Sequence, residues 1–438
     1  MRWICCAGDY NDLMRTHFAF GKTGLTLDLP EGFHYKLLEA RSASPLPDQT
    51  GAIEAAMDAP IAGPPLSALA NGKKTVSISV CDITRPAPNK LVLPPLLKRL
   101  HAAGIAKENV TILIATGLHR LATQAELDEI LSPAIASTYR IVNHNARELS
   151  EHRFLGNTKS GTPVYVAEDF VAADLHITLG FIEPHLMAGF SGARKLVAPG
   201  LAAQETIKVL HSPKFMRDAK AVEGSIEGNP LHRELLEIAQ MAGHHFMVDV
   251  ALTRDRQIAA VFAGEPVQAH AEGMKFVSRV MLEQLPHPVD AVITSCAGYP
   301  LDLTFYQAIK GITAAQHIVK KGGRILLVAE CQEGPGAAEF CDMLKKTDSG
   351  ASFLDLIKEA PVVVDQWQLE KLALVTQKAD ILFYVPGLPG EYHKTLWGAV
   401  FSKPEDAVRA LTQGLGADAS IALMPEGPYV LAKASAAA

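Results

Sequence analysis

Between Gly180 and His211 the chain places a histidine, a glycine-rich turn, a lysine and a second histidine within about thirty residues. The run is Gly180-Phe181-Ile182-Glu183-Pro184-His185-Leu186-Met187-Ala188-Gly189-Phe190-Ser191-Gly192-Ala193-Arg194-Lys195, with His211 beyond it. Such side chains supply an acid/base, a phosphate cradle, an amine nucleophile and a metal ligand. Three further polar loops carry reactive groups: Asp82 to Arg85, Thr116 to His119, and Tyr299 to Lys310.

Each group has a chemistry of its own and a plain structural alternative. Arg85 offers a planar fork that suits a carboxylate or a phosphate, or else a structural ion pair. His119 and His185 each follow an apolar run, and two bases on separate loops are what inversion of a carbon centre requires, since each enantiomer yields its proton to a different side. A loop histidine also serves purely structural ends. Lys195 after Gly189, Ser191 and Gly192 resembles the end of a phosphate-binding turn, yet the P-loop spacing is absent. Such a lysine is a covalent anchor or a point charge for phosphate. His211 becomes a metal ligand only if the fold brings it to the same pocket. Tyr306, Gln307 and Lys310 lie near a helix start with Tyr306 and Lys310 on one face, which makes an anion clamp or a solvated helix surface.

The elements that must position these loops repeat as strand, loop, helix. Strands are expected at Lys74–Cys81, Asn109–Ala115, 139–143, 163–167 and 175–180, with an amphipathic helix at 228–241. Thr123 and Glu126 form a capping-box pattern. Gly104 reads as the end of a helix that starts close to Pro94 and Pro95, because proline is excluded from a helix interior. A second rhythm starts near Pro288, with strands at Val289–Ser295, Arg324–Ala329, Val362–Val364 and Ile381–Val385 and a helix at 303–320. The fold class expected is therefore α/β: two Rossmann-like domains with mostly parallel sheets and the active site in the cleft between them. The expected division is an N-terminal cofactor-binding domain over 1–286, with 1–16 as an extension, and a C-terminal domain over 287–404. The helix and strand of 405–438 are left to either.

Composition narrows the function classes. The 438 residues carry a formal charge of -6, with no long basic run, which speaks against a nucleic-acid partner. No apolar stretch is long enough to span a membrane. The six cysteines form no C-x-x-C pair and read as reduced thiols of a cytoplasmic protein, Cys81 and Cys296 as small buried residues. No G-x-G-x-x-G occurs, so a dinucleotide has no direct support, and no H-x-x-x-H occurs, so a bound metal would take much of its coordination from a non-protein ligand.

Taken together, the motifs D-I-T-R-P-A-P at 82–88, A-T-G-L-H-R at 115–120, E-P-H-L-M-A-G-F-S-G-A-R-K at 183–195, F-Y-Q-A-I-K at 305–310 and D-Q-W-Q at 365–368 resemble the nickel-dependent lactate racemase family, over residues 20 to 430. The resemblance implies an isomerase that inverts C2 of a 2-hydroxy acid by reversible hydride transfer through a 2-keto acid. It implies a nickel-pincer nucleotide, the pyridinium-3-thioamide-5-thiocarboxylic acid mononucleotide, tethered at Lys195 and completed at nickel by His211; sulfur and carbon donors with one imidazole suit a square-planar nickel. His119 and His185 become the two acid/base residues. Asp82, Gly189, Ser191 and Gly192 become cofactor-holding residues, the phosphate on backbone N–H groups. Arg85, Tyr306, Gln307, Lys310 and Trp367 become the substrate-binding set. Cofactor-synthesis enzymes are implied as partners. Lactate is one candidate substrate, a sugar-acid C2-epimerase is the alternative within the family, and a non-catalytic carrier of the nickel cofactor is the alternative outside it.

Overall fold

The computed structural model describes residues 14–435, so Cys5, Cys6 and most of the expected N-terminal extension lie outside the described residues. Arg15 and Thr16, assigned to that extension, open a strand instead: Arg15–Phe18 pairs antiparallel with Leu25–Asp28, and Phe18 is fully buried.

The chain divides into two compact units, one formed by 1–41, 212–217 and 281–438, the other by 42–211 and 218–280. This differs from a boundary at 286. Leu282–Leu285, just before the expected Pro286-His287-Pro288 linker, pairs parallel with Leu431–Ala434 and so belongs to the C-terminal unit. His34–Leu37 pairs parallel with Ser420–Met424, which draws the first residues into the same unit and also settles 405–438 there. These pairings join segments about 150 and nearly 400 residues apart and leave no local sign in either one.

The unit built on 42–211 and 218–280 has a six-stranded sheet in the order Ile258–Gly264, Phe246–Leu252, Leu175–Phe181, Val76–Cys81, Val110–Ala115, Arg140–Asn143. All neighbours are parallel except Ile258–Gly264. Every residue of Val76–Cys81 and Leu175–Phe181 is buried, as expected of strands covered by helices on both faces. Ile78, Val80, Ile177 and Leu179 pack with Val92, Leu93, Leu96 and Leu100 of the helix Asn89–Ala102; each such side chain contributes about 1.5–3 kcal/mol by burial. That helix starts well before Pro94 and Pro95, which lie inside it. Two ladder hydrogen bonds are lost there, and the dense apolar packing of this face offsets the loss. Its end is as expected, with Gly104 at φ +94 just past the cap. The Thr123–Glu126 capping box forms. Pro163–Ala167 is a strand but pairs with His152–Asn157 in a separate hairpin.

The other unit has an all-parallel sheet in the order Ala399–Val400, Ala379–Tyr384, Val319–Val328, Val289–Ser295, Ser420–Met424, His34–Leu37. Val319–Val328 is a single strand, but its pairing with Val289–Ser295 shifts register between Val319 and Arg324 and Gly322 has φ +76, so the expected turn at Gly322-Gly323 is an irregularity within the strand. Val362–Val364 forms no strand; it is a partly exposed lead-in to the helix Gln366–Thr376. The helix Phe305–Ala315 follows Val289–Ser295 and is capped by Thr304, whose hydroxyl accepts from Gln307 N–H.

Candidate active site

In the 42–211/218–280 unit the strand order reverses beside Val76–Cys81. The strands from 110 and 140 lie on one side of it and those from 175 and 246 on the other. This reversal is the switch point at which doubly wound sheets open a crevice beyond the strand ends. The two strands flanking it lead into Asp82–Arg85 and into Glu183–Lys195, and the next strand along, Val110–Ala115, leads into Thr116–His119. Three chemistry-bearing loops therefore leave neighbouring parallel strands at one edge.

Asp82 sits immediately past its strand, 5 % exposed. One carboxylate oxygen accepts from His119 Nδ1 at 2.7 Å and the other from the Thr84 hydroxyl at 2.7 Å. Burial works to raise the Asp82 pKa, but the hydrogen bonds from His119 and Thr84 and the nearby Arg85 charge outweigh it and hold the carboxyl below its usual range. An ionised carboxylate on Nδ1 keeps the ring proton there and leaves Nε2 as the basic nitrogen. The His119 ring is half exposed, and its loop is tied down by His119 N–H to Thr116 O and by Gly117 N–H to Gly200 O. Asp82 thus fixes the orientation and tautomer of the His119 ring. Arg85 is exposed on the same loop, its guanidinium 3.5 Å from Thr84 O.

His185 stands on a small antiparallel hairpin of Pro184–His185 and Gly189–Phe190. Its Nδ1 faces the N–H groups of Met187 and Ala188 at 3.3 and 3.2 Å, and its Nε2 is 2.7 Å from Lys195 Nζ. Two N–H groups face Nδ1, and the direction of the Nε2···Nζ hydrogen bond follows the ring tautomer. The segment bearing Lys195 is fastened from beneath by strand residues: Ser79 Oγ donates to Leu196 O, and Asp249 accepts from Ala193 N–H at 2.8 Å.

Gly189, Ser191 and Gly192 fall in this hairpin and the turn after it, but their donors face inward. Ser191 N–H bonds Glu183 O, Ser191 Oγ donates to Phe181 O while accepting from Glu183 N–H, and Ala193 N–H is held by Asp249. Gly189 and Gly192 have φ of +78 and +86, and a Cβ on them would run into Ser225 O and the Asp249 carboxylate respectively. The turn is tightly packed, and its glycines are required by the protein's own atoms.

His211 caps the C-terminus of the helix Gln204–Leu210. Its Nδ1 is 2.8 Å from Ile207 O, which fixes the Nδ1–H tautomer and makes Nε2 the lone-pair nitrogen. The ring keeps some exposed surface yet is ringed by protein. Burial pushes its pKa down to about 4, against the opposing Ile207 bond, and a protonated Lys195 would push the same way. It is a neutral imidazole at pH 7, the form that ligates metals.

Tyr306, Gln307, Lys310 and Trp367 belong to the other unit. Trp367 Nε1–H points at Tyr306 OH at 3.3 Å, and the Tyr306 ring packs edge-on against Phe340. The Gln307 side-chain oxygen is buried without a hydrogen-bond partner. Tyr306, Gln307 and Lys310 lie on the helix Phe305–Ala315 and Trp367 in the first turn of Gln366–Thr376.

Three supporting residues escaped the sequence reading. Asp249 is fully buried and burial pushes its pKa up to about 7. Arg194 is 2 % exposed and donates to Ala188 O and Phe190 O, bracing the hairpin. His270 bonds Ser191 O at 2.7 Å. A charged residue inside the run F-M-V-D-V-A-L was the one visible signal; the partners of all three come from distant segments.

Fold and strand-end loops define a two-unit α/β protein with a carboxylate-oriented histidine and a histidine–lysine pair at a topological switch point. Residues 20–224 match the lactate racemase N-terminal domain and residues 285–432 the lactate racemase C-terminal domain. The chain belongs to the lactate racemase family. It is 32% identical over 419 residues to the lactate racemase of Thermoanaerobacterium thermosaccharolyticum, covering 94% of this chain and 98% of that one. To the lactate racemase of Lactiplantibacillus plantarum it is 33% identical over 385 residues, 87% of this chain and 90% of that one. The solved structure of the T. thermosaccharolyticum lactate racemase apoprotein superposes with a TM-score of 0.89 at 31% identity, over 96% of this chain and all of that one. A Thermotoga maritima protein of known structure shares the fold, at a TM-score of 0.65 and 17% identity.

Proposed function

We propose that this chain is a racemase that inverts C2 of a short 2-hydroxy acid, lactate first among them, with a nickel-pincer nucleotide tethered at Lys195. The residues present fit that group. Lys195 presents an amine beside His185, and His211 is a neutral imidazole, the form that ligates metals, with its Nδ1 held by the Ile207 carbonyl. When bound, the group supplies the acceptor that takes the α-hydrogen as hydride and gives it back.

The chain's own residues do the proton work. His119 Nε2 takes the hydroxyl proton of one enantiomer, and the ionised Asp82 stabilises the imidazolium that results. His185 serves the other enantiomer. Each base becomes the acid for return on its side, so the planar 2-keto acid is delivered as either hand. Arg85, Tyr306, Gln307, Lys310 and Trp367 are assigned the substrate carboxylate and oxygen through the family resemblance. The cofactor would reach the protein from its synthesis enzymes in the cytoplasm.

The observation that carries this reading is the Asp82–His119 pair at 2.7 Å, a geometry that makes a base of one ring nitrogen. The test is a chiral assay of nickel-loaded protein co-produced with cofactor-synthesis enzymes, using single enantiomers of lactate, 2-hydroxybutyrate, malate, phenyllactate and gluconate. Inversion of lactate or 2-hydroxybutyrate is expected. Inversion of gluconate alone would make the protein a sugar-acid epimerase, and inversion of none, with nickel and adduct present, would defeat the racemase reading.

A further inference from the structure

Behind the hairpin that carries His185 lies a cavity of about 180 Å³ between the helices Pro230–Met241 and Pro266–Met281, walled in part by Arg194, His232, His244 and His270. Arg194 neighbours Lys195 in sequence but is turned away from it. Its guanidinium donates to Ala188 O, Phe190 O and His270, while Nε is buried without a partner. No carboxylate forms an ion pair with Arg194 among the described residues. Burial of a guanidinium costs several kcal/mol; it draws the Arg194 pKa down to about 9, while the buried Asp249 pulls the other way. His270 donates Nε2–H to Ser191 O, so its Nδ1 is the acceptor for Arg194 at 3.2 Å. His244 Nε2 meets Thr178 Oγ1 at 2.9 Å. His232 Nδ1 is buried with no partner.

Two unmet polar atoms, Arg194 Nε and His232 Nδ1, thus belong to residues that line one cavity. The one carboxylate on its wall, Glu265, has its oxygens engaged by Val267 N–H and Gln268 N–H at the start of the helix. The remaining wall is apolar, with Leu236, Val267 and Met274. One buried guanidinium beside neutral imidazoles at one side and an aliphatic wall at the other select a ligand with one anionic end and a short hydrocarbon body.

We propose that this cavity is a second binding site, for a short monocarboxylate, whose carboxylate pairs with Arg194 and bonds His232 while its body lies against Leu236 and Met274. Arg194 also holds the carbonyls of Ala188 and Phe190, so occupancy stiffens the hairpin on which His185 stands. Ala193 and Arg194 belong to the Glu183–Lys195 loop, but the rest of the lining comes from 226–244 and 265–274, and the inference does not depend on the nickel reading.

The experiment uses the full-length apoprotein. Thermal melts and titration calorimetry would compare acetate, propionate and butyrate with inorganic phosphate, at ionic strength matched with chloride. Arg85→Ala would serve as the background in which the switch-point anion ligand is removed. Propionate at about 20 mM is expected to raise the melting temperature of both the wild type and Arg85→Ala. Ala271→Phe, which fills the cavity from its wall, should weaken the apparent affinity at least about ten-fold while the protein still melts cooperatively. Arg194→Lys should weaken binding as well; if that variant does not fold, Ala271→Phe decides alone. An equal shift in folded Ala271→Phe, a shift lost in Arg85→Ala, or a response to phosphate but to no carboxylate would each overturn the proposal.

Discussion

Asp82 and His119 stand 37 residues apart in the chain, and their side chains meet at 2.7 Å across the ends of two adjacent parallel strands. The contact works because the two loops differ in exposure. The carboxylate is buried and ionised, while the ring it holds keeps half its surface open. A fixed Nδ1–H and an accessible Nε2 are what a base needs and what a histidine on a lone loop lacks. Asp82→Asn would place an amide N–H where the anion sits and favour the wrong tautomer. Turnover is expected to fall by about 10²–10⁴-fold, with the covalent cofactor adduct retained by intact mass. A variant within a few-fold of wild type would remove Asp82 from the mechanism.

Lys195 and His185 make the second pairing, at 2.7 Å. Lys195→Ala is expected to abolish the covalent mass adduct. His185→Ala and His119→Ala are each expected to keep the adduct and lose racemisation, measured in both directions on single enantiomers. An unchanged adduct in Lys195→Ala would refute the anchor, and near-normal turnover in either histidine variant would refute the two-base scheme.

Asp249 predicts a pH dependence of stability. Its pKa is pushed up to about 7 in the folded chain by burial, from its ordinary 3.8. The folded state therefore binds its proton more tightly than the unfolded state, and the contribution is full below about pH 4 and lost as pH rises to about 7. Asp249→Asn keeps an acceptor for Ala193 N–H and removes the titration. Urea midpoints measured from pH 5 to 8 should lose the part of their alkaline decline due to this group. Parallel wild-type and variant curves over that range would show that Asp249 titrates normally.

Arg217 and Glu370 form an ion pair at 2.8 Å, with the Glu370 side chain fully buried and one of its oxygens unpartnered. Arg217 also donates to Leu354 O, and Lys371 Nζ donates to Met216 O, so the short segment 212–217 is pinned to the helix Gln366–Thr376 and its surroundings. Arg217→Met leaves a buried carboxylate without its cation, which costs about 3 kcal/mol. Arg217→Met with Glu370→Gln should recover much of that loss. Denaturant unfolding of both variants tests it, and a cost below about 0.5 kcal/mol for the single change would mean the pair is solvated.

Much of the fold was legible because strand and helix patterns are local. Val289–Ser295 appears as expected, and Val76–Cys81, Val110–Ala115 and Leu175–Phe181 fall within two residues of their expected bounds, since continuous β-branched and apolar runs mark strands buried on both faces. The helix Asn89–Ala102 was misjudged at its start because proline is a local penalty that a well-packed face can outweigh. The N-terminal strands were missed because what makes His34–Leu37 a strand is its partner Ser420–Met424.

The residue types by themselves determined the chemistry on offer: two loop histidines, one lysine after a glycine turn, one histidine beyond it, and the family that this order marks. Only the tertiary structure decided how those groups are used. It paired Asp82 with His119, and it bonded Ser191 Oγ to Phe181 O and packed Gly189 and Gly192 against Ser225 and Asp249. It also sent Arg194 and Lys195, adjacent in the chain, to opposite sides of one turn. A side chain's identity is local information. Its hydrogen-bond partner and its burial are set by segments far away in sequence, brought together when the parallel strands align and their loops emerge at one edge.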